Sequence, residues 1–140
     1  MLQIGGRVNV PSLMTCLAAA LDSAGAIGDA LETIEQALSF NPEDAVYRPE
    51  TFRLRGELRF KQGDRQLAEA DFLDSIAMAR NMGAKAWELR TTMSFAQLLR
   101  DTGRRDEARD MLAEIYNWFT EGFDTADLKD AKALLDELSA

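Results

Sequence analysis

Histidine is absent from the 140 residues, and cysteine occurs once, at Cys16. The first absence removes the commonest general base and the commonest metal ligand. A single cysteine cannot form an internal disulfide, which fits a reducing, cytoplasmic setting. Cys16 also has no histidine to activate it as a nucleophile, and it reads as a small packed residue in the apolar run Leu13 to Leu21. Proline occurs three times and tyrosine twice. No β-branched alternating run is bounded by hairpin turn residues, so no strand is expected. The longest uncharged stretch, Val8 to Leu21, holds Asn9, Pro11, Ser12 and Thr15 and is too short to span a bilayer. Arg7 is the only early positive charge and no adequate apolar stretch follows it, so no secretory leader is expected. A Gly-x-x-x-x-Gly-Lys-Ser/Thr phosphate loop and a cyclase-type metal-binding aspartate pattern are also missing. The many carboxylates sit among Lys and Arg on helix surfaces, with no pocket to separate their pKa values for acid–base work. The expectation is a non-enzyme without cofactor or metal.

What remains is rich in Ala, Leu, Glu, Arg and Met, which favours helix nearly everywhere. The composition, 46% hydrophobic and 29% charged, is that of a globular chain. Formal net charge is −8, which argues against nucleic acid and anionic membranes as partners. The charge is uneven. Residues 1–45 carry one basic and six acidic residues, a net −5; residues 46–105 carry twelve and eight, a net +4; residues 106–140 carry three and ten, a net −7. Solvated helix faces are the simpler reading of the basic middle, and steering of a charged partner is the alternative.

Apolar periodicity and breakers divide the chain. A glycine-containing lead-in covers residues 1–10. Pro11 opens a helix with Leu13, Met14, Leu17, Ala18 and Leu21 inward, and Gly25 stops it. Asp29 is the expected N-cap of a second helix, with Ala30, Ile34, Ala37, Leu38 and Phe40 inward, ended by Asn41-Pro42. After a connector, Pro49 opens a third helix to about Gln62. Further helices are expected over about 65–81, 86–101 and 106–120. Thr125, with Asp124, caps a last helix whose stripe is Leu128, Ala131, Leu134, Leu135 and Leu138.

The helices echo one another. Gly56, Gly63, Ala68, Phe72, Ser75 and Ile76 are answered 40 residues later by Ala96, Gly103, Ala108, Leu112, Ile115 and Tyr116. They are preceded 38 residues earlier by Ala18, Gly25, Ala30, Ile34, Ala37 and Leu38. Each unit is a helix, a glycine turn and a helix. Small residues on both helices permit close approach, and one bulky residue fills the space beside it.

This spacing resembles the tetratricopeptide (TPR) repeat in a long form, over about residues 11–122. The resemblance implies an all-α, right-handed α-α superhelix of three TPR-like hairpins (about 11–44, 49–84 and 87–122) plus a C-terminal capping helix (about 124–139), in one domain. Three segments are similar to a narrower bacterial subgroup: Tyr47 to Leu58, Ala84 to Arg90, and Tyr116 to Leu135 with its Phe-Thr-Glu-Gly-Phe-Asp-Thr run. That subgroup forms the C-terminal region of signalling proteins with a class III adenylate/guanylate cyclase or a DNA-binding activator domain, followed by an ATPase module. The resemblance implies a non-catalytic scaffold whose partner is a protein or peptide, or the upstream ATPase and cyclase domains of the same polypeptide. A free-standing adaptor and the tail of an ATPase-type transcriptional regulator are the alternatives. The N-terminal end shows no amphipathic cap, so more repeats before Met1, or a homodimer through that end, are expected.

By the repeat register, the first helix of each unit lines the inner surface. Its exposed positions are expected at Ser12, Thr15, Ala19 and Asp22; then Glu50, Arg53, Glu57, Phe60 and Lys61; then Arg90, Met93, Gln97, Arg100 and Asp101. The partner surface is assigned to Arg53, Glu57, Phe60, Lys61, Arg90, Met93, Gln97 and Arg100, with Arg53, Arg90 and Arg100 meeting an acidic segment. The carboxylate clamp of some TPR domains uses Lys and Asn, but the matching places here hold Ala19, Glu57 and Gln97. Arg55 and Arg59 depart from the apolar residues usual there. Their stems pack while their heads reach acidic partners, or the helix is rotated. Trp87 and Trp118 read as packing anchors. Phe119 and Phe123 are expected to seat the last helix, so Phe123→Ala should cost about 3–5 kcal/mol.

Overall fold

The computed structural model describes residues 10–39 and 48–140. The expected lead-in up to residue 9, Phe40, the Asn41-Pro42 stop and the connector up to residue 47 fall outside the described residues, as do the side chains of residues 10–12. The described chain is all-α: α1 (Val10–Ser23), α2 (Ile27–Leu38), α3 (Arg48–Lys61), α4 (Arg65–Met82), α5 (Lys85–Asp101), α6 (Arg105–Tyr116) and α7 (Ala126–Ser139).

The turn glycines act as the repeat predicts. Gly25, Gly63 and Gly103 take φ of 82°, 85° and 84°, the left-handed region that a Cβ disfavours. The residue after each donates back across the turn: Ala26 N to Leu21 O at 2.8 Å, Asp64 N to Arg59 O at 2.9 Å, and Arg104 N to Leu99 O at 2.7 Å. These bonds satisfy carbonyls that the helix end leaves open. Helix starts obey a different rule. The cap position of α2 is Ala26, with no side-chain cap, and Asp29 stands in the first turn instead, where its charge still favours the dipole. Thr125 does cap α7, accepting from Leu128 N.

α1 packs on α2, α3 on α4, and α5 on α6. Each later odd-numbered helix also contacts both helices of the hairpin before it: α3 meets α1 and α2, α5 meets α3 and α4, and α7 meets α5 and α6. Among the described residues the even-numbered helices do not pack on one another. The small residues of the echo lie at these contacts. Ala18, Ala30, Ala68, Ala96 and Ala108 are fully buried or nearly so, with Ile34, Phe72 and Leu112 beside them. Gly56 is buried against Phe72, and a Cβ there would stand 2.6 Å from the ring.

Two apolar clusters result among the described residues. One joins Ala18, Ala30, Ile34, Leu54 and Leu58 across α1, α2 and α3. The other runs from Ala68 and Phe72 through α5 and α6 to Leu128, Ala131, Leu134 and Leu138. At the α2–α3–α4 junction stands an ionic cluster. Asp71, only 2% exposed, accepts from Arg55 at 2.9 Å and Arg59 at 2.9 Å, and Arg55 also reaches Glu35 at 2.7 Å. The packed-stem reading of these arginines therefore holds. The Arg55 guanidinium also lies 4.8 Å from the Phe52 ring centre.

Some expectations are overturned. Leu13 and Leu17 are 57% and 53% exposed, and Cys16 is exposed, because among the described residues α1 has neighbours only in α2 and α3. Thr15 faces inward instead, beside Ala18, which is buried as expected. α6 ends at Tyr116, four residues early, through i→i+3 bonds from Trp118 N and Phe119 N. The connector then carries Trp118 (57% exposed) and Phe123 (45% exposed) at the surface. Trp118 is therefore no packing anchor. Phe123 leans on Tyr116 at 5.8 Å, and truncating it removes much less than a core aromatic. Phe119 does pack against the core.

Candidate protein-binding groove

α3, α5 and α7 lie side by side, and a groove of about 400 Å³ opens along them. Its lining is Glu57 from α3, Arg90, Met93, Ser94 and Gln97 from α5, and Asp127, Asp130 and Ala133 from α7. Four sequence-assigned surface residues are thereby brought together: Glu57, Arg90, Met93 and Gln97. The other four stand around or away from it. Arg53 is tied to the groove through Glu57. Arg100 is held further along α5 by Asp101 and by Glu137 of α7. Lys61 is engaged by Asp22 of α1 at 2.6 Å. Phe60 packs against the apolar core. Two further positions expected to be exposed are buried: Thr15, whose hydroxyl is 2.8 Å from that of Thr51, and Glu50.

An alternating chain of charge crosses the three helices. Arg53 holds Glu57 at 2.8 Å and Glu50 at 2.9 Å. Arg90 reaches from Glu50 at 3.3 Å to Asp127 at 3.0 Å. Ser94 donates to Glu57 at 2.6 Å. Burial lowers the pKa of Arg53, but its hydrogen bond to Glu50 and the charges of Glu57 and Glu50 outweigh that, and it titrates above the ordinary arginine value. Burial likewise opposes, and Asp127 and Glu50 override, in raising Arg90. Arg100 is raised first by its hydrogen bond to Glu137 and then by Asp101. These guanidiniums stay charged and are already matched to carboxylates of the chain itself.

The α7 side of the groove was not foreseen, because the sequence assigns α7 to capping. Arg90 to Asp127, Arg100 to Glu137 and Glu57 to Ser94 are all 37 residues apart, so polar contacts at one common separation join successive odd helices.

A second cavity, of about 460 Å³, lies where the α6–α7 connector crosses the start of α5. Trp118, Phe119, Ala86, Leu89 and Leu128 line it. Trp118 meets Phe119 edge-on at 5.1 Å, with the Lys85 ammonium 5.5 Å from its ring centre. Neither cavity presents a catalytic constellation. The buried carboxylates among the described residues are each neutralised: Glu50 and Asp71 by arginines, Glu88 by Arg80 and Lys85. Among the described residues no group of three or more His, Cys, Asp and Glu side chains is placed to hold a metal ion. None of the described helices is long and apolar enough to cross a membrane.

No protein-family model, curated protein or solved structure matches the chain.

Proposed function

We propose that the chain is a non-catalytic scaffold of TPR type that binds a segment of a protein in the α3–α5–α7 groove. In this reading α1, α3, α5 and α7 line the concave face of a right-handed superhelix, and α2, α4 and α6 form its outer side. One observation carries it: every odd helix after the first contacts both helices of the preceding hairpin, while the even helices do not meet. Such stacking generates an extended inner surface made of one helix per repeat.

The bound segment belongs to a partner protein or to ATPase and cyclase domains in the same polypeptide, as the subgroup resemblance implies. Binding there would bias the state of those domains in a cytoplasmic signalling protein. The unpaired, exposed Cys16 accords with a reducing compartment.

Filling the groove tests this reading. Ala133 is exposed on the groove wall, and Ala77 is exposed on α4 away from it. Ala133→Trp is expected to abolish recovery of the protein that co-purifies with the chain, at unchanged melting temperature. Ala77→Trp is expected to retain it. Equal recovery with both variants would count against the groove.

A further inference from the structure

We propose that the groove selects a cationic segment, seating a lysine or arginine of the partner against Asp130. This deepens the groove reading and rests on it. The proposed chemistry is opposite in sign to the expectation that Arg53, Arg90 and Arg100 would meet an acidic segment.

Charge accounting along the groove decides the sign. Arg53 and Arg90 are shared among Glu50, Glu57 and Asp127, three carboxylates for two guanidiniums. Asp130 adds a fourth carboxylate, with no ion pair among the described residues, so the local balance is −2. Arg100 does not restore it, since it lies between Asp101 and Glu137. An acidic segment would have to displace existing ion pairs to reach a cation, whereas a basic one adds to the unmatched carboxylate without breaking any. The groove walls concentrate this field more than an open surface would.

The lining also suits the rest of such a side chain. Met93 and Ala133 present apolar atoms beside Asp130, and Gln97 offers a neutral amide. Lysine and arginine lay their methylene stems on apolar surface while the head reaches a carboxylate. Phosphate-rich ligands are disfavoured by the same excess of negative charge.

Two probes test the proposal: a short peptide alternating lysine and alanine, and its glutamate counterpart. Each is titrated into the full chain, with amide resonances followed by NMR. The lysine probe is expected to shift Met93, Gln97, Asp130 and Ala133, with affinity falling as salt is raised. The doubly reversed variant Gln97→Lys/Asp130→Lys replaces exposed side chains and should bind at least about tenfold more weakly. Glu114→Lys on exposed α6 surface should bind within about twofold of the parent, because it lies outside the groove. Equal weakening by Glu114→Lys would reduce the effect to overall charge and overturn the proposal. A glutamate probe that fills the groove would overturn the sign and leave the groove reading standing. Silence of the groove resonances with both probes would overturn both.

Discussion

Gly56 and Phe72 show how one side chain is fitted to another. The other two hairpins carry Ala18 beside Ile34 and Ala96 beside Leu112, all buried. The middle hairpin alone has the larger phenyl ring, and only there is the small partner reduced to glycine. A Cβ at position 56 would approach the ring to 2.6 Å, and the ring is enclosed and cannot swing aside. Gly56→Ala gains up to about 1 kcal/mol of helix propensity but overpacks the core by about 1–3 kcal/mol. A net loss of up to about 2 kcal/mol is expected in urea unfolding, once the full propensity gain is set against the overpacking. Gly56→Ala/Phe72→Leu recreates the pairing of the third hairpin and should be more stable than the two single effects summed. Strict additivity would contradict the fit. This pair was legible in the sequence because the offset of 40 aligned it with its equivalents. Asp71 was not: the anomaly at Arg55 and Arg59 was visible, but no local pattern names which of the chain's carboxylates lies across the helix junction.

At the scale of elements, helix existence followed from periodicity and glycine turns, and helix ends were less legible. The stop of α6 has no glycine at its C-cap; Asn117 stays right-handed there, so periodicity alone extends the helix to Thr120. That miscount moved Trp118 inward on paper, while the structure places it outside, as it does Phe123 beyond the expected helix end. α1 went wrong for another reason. Its apolar stripe suits a helix flanked on all sides, and its packing among the described elements comes only from α2 and α3. The same asymmetry predicts unequal local stability. α5 lies against α3, α4, α6 and α7, whereas α1 leaves Leu13 and Leu17 exposed. Native-state hydrogen exchange should show α1 amides opening at a lower free energy than those of α5. Uniform protection across the two helices would contradict this packing hierarchy.

Over the whole molecule, the arrangement that matters is the row of odd helices. Three hairpins of one design make it, and α7 extends it with Asp127, Asp130 and Glu137 in register with α5. The sequence placed half of the groove, on α3 and α5, through the repeat register. The other half stayed hidden because an amphipathic last helix satisfies a capping role equally well. The charge of the groove was hidden too, since pairing between arginines and carboxylates on different helices depends on how the hairpins stack. The central claim is that this row receives a protein segment. A photo-crosslinking amino acid at Gln97, compared with one at Asp110 on exposed α6 surface, tests it in the native host. The account predicts a discrete protein adduct, or a discrete intramolecular crosslink to another domain of the same polypeptide, from position 97 and none from position 110. Adducts from position 110 alone, or the same diffuse background from both, would contradict it.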